Sequence, residues 1–190
     1  MEDQPQRTVL PSWPGIDEAA VEMTCTIMAR RLHASPARAI GVVPAAGSSN
    51  LGPLLVRLAT ALAAFETGKV GVVPKWRSWA RDPGGDAGEA SALRLRALGP
   101  SVVAIVPPAS PNSRAAALVL QDALWSLPSG IARVLVDLGG YAAPGAFPGA
   151  SVVADGIVLA APVARARRAV VAKLLAAIPE GKSLGTILIG

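Results

Sequence analysis

Short, continuously apolar runs alternate with segments of helical spacing along this chain, and the alternation constrains its fold more than any other feature. The apolar runs predict strands at 37–44, 69–74, 101–108, 132–140, 155–162 and 183–190. Apolar residues three or four positions apart predict helices at 15–33, 51–66, 89–98, 111–127 and 163–178. Strands without polar alternation are buried on both faces, as in a parallel sheet covered by helices. The sequence therefore predicts an α/β fold: a doubly wound, mainly parallel sheet with helices on both faces.

Length and composition indicate one compact domain. The chain has 190 residues, of which 52 % are hydrophobic, and it is too apolar for a disordered protein. We predict a flexible N-terminal arm at 1–14, where prolines are frequent and periodicity is weak, and a single domain at 15–190. The longest apolar runs, such as 156–164, fall well short of the roughly 20 residues of a membrane-spanning helix. With no leader-like start and a single cysteine, Cys25, we expect a cytoplasmic protein.

The chain is basic, with a formal net charge of +5 at pH 7 and a pI of about 10.1. Fourteen of its 18 basic residues are arginine, and a GC-rich genome would by itself favour arginine together with alanine, glycine and proline. The charge also suits an acidic partner, such as nucleic acid, a phospholipid surface or an acidic protein face. Composition leaves both explanations open.

The first apolar run leads into a turn with the outline of a phosphate-binding loop. The residues of this turn are Gly47, Ser48, Ser49 and Asn50. A working phosphate loop supplies backbone N–H groups, a lysine for the phosphates and a hydroxyl group for magnesium. The positions for the lysine and the hydroxyl group hold Leu51, Gly52 and Pro53 instead. The sequence therefore predicts the backbone N–H groups of such a site without its lysine and its hydroxyl group.

Three interpretations of this turn follow from its residues. It is a tight connection that serves the fold, with Asn50 or Ser49 capping the next helix. Alternatively, it retains weak binding of ATP, ADP or another anion, or it is a live nucleotide site with an unorthodox loop. Arg57 lies about a turn and a half into the helix and is expected to point elsewhere. We expect no resident cofactor.

Asp137 ends the fourth apolar run, in the position of an aspartate that holds magnesium in phosphate-loop ATPases. The alternative is that its carboxylate bonds to backbone N–H groups of the following loop at 138–140. With one histidine, His33, and one cysteine far from any cluster of carboxylates, we predict no metal site and no catalytic residues.

Two basic segments are candidate partner surfaces. The first follows the second apolar run and contains Lys75, Trp76 and Arg77, whose indole and guanidinium groups suit stacking on bases or docking of a peptide. The second lies on the last predicted helix and contains Arg165, Arg167 and Arg168. The alternatives are tryptophans packed on their own loop and a solvated basic helix face.

Four stretches together resemble the cytoplasmic catalytic domain of the bacterial tyrosine kinases (BY-kinases) of capsule and exopolysaccharide export. These kinases belong to the partition-type branch of the P-loop ATPases. The stretches are RLATALAAFETGKVGVV (57–73), VVAIVPPASPNSRAAALV (102–119), ARVLVDLGG (132–140), and the strand–helix segment 152–178 with its closing strand LGTILIG (184–190). The resemblance covers roughly 15–190 and implies a P-loop NTPase-like fold.

The chain departs from this family at the residues that carry its chemistry. The first loop reads Ser-Ser-Asn-Leu-Gly in place of Gly-x-Gly-Lys-Ser/Thr, and the second strand ends in Pro-Lys-Trp in place of Asp-x-Asp. Glu18 is followed by Val21 and Thr24, without the arginines that the family uses in ring assembly. The family's tyrosine-rich tail is also missing, and Tyr141 is the one tyrosine. Among the magnesium residues of the family, Asp137 alone matches.

The resemblance and its departures predict a catalytically inactive BY-kinase-like protein that regulates or scaffolds polysaccharide synthesis or export. The expected partner is another protein, either a membrane component of the export system or a homologous ATPase, with homo-oligomers and attachment at the periphery of the inner membrane as open alternatives. A partition- or positioning-type adaptor that binds DNA or membrane through its basic residues is the second hypothesis.

Overall fold

The computed structural model describes residues 17–45, 50–75, 93–108, 113–139, 152–162 and 167–189. Within these ranges, seven strands form one sheet: β1 Ala39–Pro44, β2 Lys69–Val73, β3 Arg94–Ala97, β4 Val102–Val106, β5 Ile131–Asp137, β6 Gly156–Pro162 and β7 Ser183–Ile189. The helices are α1 Glu18–His33, α2 Gly52–Ala63, α3 Ser113–Trp125 and α4 Arg168–Ala177. The predicted arm at 1–14 lies outside the described residues.

The strand order is β3-β4-β2-β5-β1-β6-β7, and every neighbouring pair is parallel except β3 and β4. All six residues of β1 are buried, as its continuous apolar sequence predicts. Alternate residues of β1 enter two separate cores: Ile40 and Val42 pack with α1 and α2, whereas Ala39 and Val43 pack with α3. The prediction of a doubly wound, mainly parallel α/β fold with helices on both faces is confirmed.

The prediction of a helix at 89–98 is wrong for the described residues of this segment. Arg94–Ala97 forms the antiparallel edge strand β3. Arginine, leucine and alanine are good helix formers, so local propensity favours the helix. The exposed backbone edge of β4 favours a strand instead, since pairing satisfies N–H and C=O groups along both segments. A tight turn closes this hairpin, in which the N–H groups of Leu98 and Gly99 donate to the Val102 carbonyl at 2.9 and 3.2 Å.

The remaining predicted elements are present with shifted ends. The helix predicted at 51–66 ends at Ala63, and the helix predicted at 163–178 is described from Arg168. No helix in the described ranges has the length and apolar character needed to cross a membrane.

Arg133 of β5 ties the end of α1 to the sheet at the edge where the parallel strands begin. Its guanidinium donates to the carbonyls of His33 at 3.1 Å, Ser35 at 2.9 Å and Ala37, and to Glu66 Oε1 at 3.0 Å. Both Arg133 and Glu66 are largely buried side chains. The His33 ring packs near Phe65, and His33 Nδ1 lies 3.0 Å from the same Glu66 oxygen. This buried network fixes the start of the sheet, at the edge opposite the candidate site.

Candidate functional site

The carboxyl ends of β1, β2, β4, β5 and β6 meet at one edge of the sheet, which is where open α/β sheets bind ligands. The sequence-predicted residues described at this edge are Asn50, Lys75, Asp137, Arg167 and Arg168. The other predicted residues lie outside the described residues: Gly47, Ser48, Ser49, Trp76, Arg77 and Arg165. The geometry of the site is therefore built from five side chains and the start of α2.

The start of α2 is closed by the chain itself. Asn50 Oδ1 accepts a hydrogen bond from the Gly52 N–H at 3.1 Å, although the N-cap residue is Leu51, which makes no side-chain capping bond. The next residue, Pro53, has no N–H group to donate. The first two residues of the helix therefore offer no free backbone donor to an anion. Leu51, which occupies the position expected of the phosphate-binding lysine, is only 2 % exposed and belongs to the core.

Asp137 is a buried carboxylate at the end of β5, with 4 % of the residue exposed. Its Oδ1 accepts a hydrogen bond from the Gly139 N–H at 2.8 Å, as the loop-capping alternative predicts. A Cβ on Gly139 would lie 2.9 Å from that oxygen and 3.3 Å from Pro44 Cγ, so a side chain here would displace the Asp137 carboxylate or Pro44. Burial raises the pKa of Asp137, while the Gly139 hydrogen bond and the positive charge of Lys75 oppose the rise.

Lys75 and Asp137 lie at the ends of neighbouring parallel strands. Val73 of β2 is paired with Val136 of β5, so Lys75 lies one residue beyond the level at which Asp137 ends β5. Lys75 is half-buried, and its charge acts on the Asp137 carboxyl group. The sequence predicted Lys75 as part of a partner surface and did not indicate this interaction, which depends on β2 and β5 being neighbours in the sheet.

Arg57 points away from the candidate site, as expected from its place in α2. It is 8 % exposed, and its guanidinium donates to Glu18 Oε1 of α1 at 3.2 Å. Its Nε is buried and has no hydrogen-bond partner among the described residues. Arg57 therefore joins the two helices and does not replace the missing lysine.

Cys25 belongs to the hydrophobic core between the sheet and these helices. Burial raises the pKa of Cys25 to about 11, so its thiol is neutral.

The basic residues of α4 lie apart from Lys75. Arg167 and Arg168 are exposed at the start of the helix, and Lys173 is exposed further along it. The helix has no buried residue, and only Val171 and Leu174 pack partly against the core. Because α4 follows β6, which is separated from β2 by two strands, the structure does not bring the two predicted basic segments together.

Two observations bear on metal binding at the described part of this edge. No group of three or more His, Cys, Asp or Glu side chains in the described ranges is placed to hold a metal ion. One Asp137 oxygen accepts a hydrogen bond from the Gly139 N–H, and the charge of Lys75 acts on the same carboxyl group. The sequence of the loop at 46–50 contains no lysine.

Comparisons with known proteins support the fold. No protein-family model matches the chain, and no curated protein matches it significantly. Seven chains of solved structures match, among them the crystal structure of the VpsO kinase domain, with a TM-score of 0.63 and 13 % sequence identity. That match covers 91 % of this chain and 97 % of the kinase domain. The chain therefore has the α/β fold of a P-loop kinase domain.

Proposed function

We propose that this chain is a non-catalytic relative of the BY-kinase domain that acts by binding a protein partner in exopolysaccharide or capsule synthesis or export. The observation that carries the proposal is a kinase-like fold whose helix start is closed by Asn50 and Pro53. Leu51 is packed in the core, so no cation projects from the position of the phosphate-binding lysine. Catalysis of phosphoryl transfer depends on cations that oppose the phosphate charge, and the loss of the loop lysine supports the proposal.

Calorimetric titration of ATP with magnesium, combined with a phosphate-release assay, tests the loss of catalysis. We expect no heat of binding at micromolar ATP and no release above the buffer rate. An active BY-kinase domain is the positive control. Turnover that disappears in Asp137→Ala would overturn the proposal, because it would show that the carboxylate still serves a nucleotide.

The partner is a cytoplasmic segment of an export membrane component or an active homologous kinase domain, and the exposed basic residues of α4 supply one contact. Biolayer interferometry against each purified candidate tests this assignment. We expect binding that weakens in the double variant Arg167→Glu/Arg168→Glu. The control is Arg96→Glu, which makes the same kind of charge reversal on the exposed strand β3. Equal weakening by both variants would show only a dependence on net charge.

A second candidate function is an adaptor that binds DNA or an anionic membrane. It is favoured by the same exposed arginines at the start of α4, a helix without a buried residue. Fluorescence anisotropy with duplex DNA and flotation with phosphatidylserine vesicles test it at low and moderate salt. Each phosphate contact lowers the logarithm of the DNA association constant by about 0.9 for every tenfold rise in salt concentration. Binding that is absent or insensitive to salt would exclude this candidate.

A further inference from the structure

The two outer strands of the sheet differ in how they are protected from pairing with another chain. The edge strand β3 is short and carries Arg94 and Arg96. The edge strand β7 is seven residues long and contains no charged residue and no proline. Charges, prolines and short strands are the means by which proteins keep edge strands from pairing. Among the described residues β7 pairs with β6 alone, so the side of β7 away from β6, here called the open edge, can accept a further strand.

Large apolar side chains are exposed on both faces of the sheet beside the open edge. Leu188 of β7 is 61 % exposed, although Ile187 and Ile189 on either side of it are buried. On the face that buries those two isoleucines, α1 packs against β7 and exposes Met23 and Ile27 by 67 % and 65 %. Apolar side chains that gather at one place on a surface mark an interaction site.

The side of α1 that faces the open edge is complementary to a second copy of itself. Arg31 identifies this side, because a Cβ added to Gly185 of β7 would lie 3.0 Å from Arg31 Nη1. Going back along the helix from Arg31 in steps of four and three, the spacing of a helix-packing seam, gives Ile27, Thr24, Ala20 and Asp17. Two such seams packed antiparallel place each Asp17 beside the Arg31 of the other helix, and each Ala20 beside an Ile27.

The middle of this seam and the exposed leucine of β7 lie at one level of the sheet. α1 runs antiparallel to the strands, since its last residue, His33, is bonded to Arg133 at the edge where the strands begin. From the level of Gly185, the step from Arg31 back to Thr24 covers about 10 Å of helix, which is roughly three residues of a strand. Thr24 is therefore level with Leu188, and one two-fold axis perpendicular to the sheet can pass near both.

We propose that a second copy of this chain occupies the open edge, related to the first by that two-fold axis. The two β7 strands pair antiparallel and join the two sheets, so the Leu188 side chains meet on one face. On the other face the two α1 helices pack antiparallel, with Asp17 beside the partner's Arg31. A two-fold contact is closed, so the assembly contains two copies and no more. The dimer goes beyond the proposed function and does not depend on it.

Sedimentation equilibrium of the full-length chain tests this dimer. We expect twice the 19.2 kDa of one chain at micromolar concentration. Leu188→Lys and Ile27→Lys should each raise the dissociation constant of the dimer at least about tenfold, because each brings two like charges together across the axis. The matched control is Leu118→Lys on α3, a site of similar exposure at 60 %, which should leave the dimer intact. All three variants should keep the circular dichroism spectrum of the wild type, because each replaced side chain is exposed.

A charge exchange tests the pairing of α1 with its copy. Arg31→Glu should weaken the dimer, and Asp17→Arg/Arg31→Glu should restore it. The Asp17 carboxylate also accepts a hydrogen bond from the Ala19 N–H at 3.0 Å and so caps α1. Because Asp17→Arg removes this cap and weakens the helix, recovery of the dimer in the double variant can come only from contact across the interface.

Four results would overturn the proposal. They are a wild type that stays monomeric throughout the concentration range, an assembly larger than a dimer, a dimer that neither Leu188→Lys nor Ile27→Lys weakens, and a double variant as weak as Arg31→Glu. ATP turnover by a dimeric wild type would overturn the proposed function and leave the dimer in place.

Discussion

Arg133→Met is expected to be among the most destabilising single substitutions in the described part of the chain. The arginine donates to the carbonyl of His33 at the end of α1, to two carbonyls of the segment that follows, and to the buried carboxylate of Glu66. Methionine keeps the apolar stem but leaves Glu66 without its strongest partner. Removing one member of a buried ion pair typically costs about 3–5 kcal/mol, because the remaining charge is uncompensated. For a chain of this length that loss lowers the melting temperature by roughly 6–20 °C.

Urea and thermal unfolding followed by circular dichroism measure this loss. If the uncompensated Glu66 charge is its cause, Arg133→Met/Glu66→Gln should be more stable than Arg133→Met alone. The control is Arg96→Met on the exposed strand β3, which should change stability by no more than about 0.5 kcal/mol. A loss for Arg133→Met as small as that of the control would refute the reasoning.

Three further predictions concern single residues. Burial raises the pKa of Asp137, so the folded state favours the protonated carboxyl group. The stability from this preference is complete below the ordinary carboxyl pKa and is lost as the pH rises through the pKa of the folded state. The melting temperature of Asp137→Asn relative to the wild type should therefore rise from pH 4 to pH 8. Gly139→Ala should lower the unfolding free energy by about 1–3 kcal/mol in urea, since its Cβ meets Asp137. Cys25, with a pKa of about 11, should resist iodoacetamide at pH 8 until urea unfolds the chain, and rapid labelling of the native protein would contradict its burial.

The layers of the fold could be predicted from the sequence because its central strands are continuously apolar. Val70, Val72 and Val73 of β2 and every residue of β1 are buried, which is what an apolar run between helices indicates. The strand at 94–97 could not be predicted in this way. Its residues favour a helix locally, and the strand exists because β4 has an open edge for it to pair with.

Two local hydrogen bonds at the candidate site follow from the chemistry of single residues, whereas the arrangement of the site does not. The side chains of Asn50 and Asp137 accept hydrogen bonds from backbone N–H groups two residues ahead. Such bonds are common for Asn and Asp, because their short side chains place an oxygen within reach of the neighbouring backbone. The electrostatic effect of Lys75 on Asp137 depends on β2 and β5 being neighbours in the sheet, although they are far apart along the chain. No local pattern contains that information, and the spatial order of the strands supplies it.

The burial of Leu51 has a consequence for any attempt to engineer a phosphate loop into this chain. A lysine placed at this position would put an ammonium in the apolar core among Leu54, Leu55 and Leu58, and Pro53 has no N–H group to donate. An unpaired ammonium in such a core is costly, so Leu51→Lys is expected to destabilise the protein rather than to create an anion site. A lysine at this position would therefore have to be accompanied by changes in the residues that pack around it.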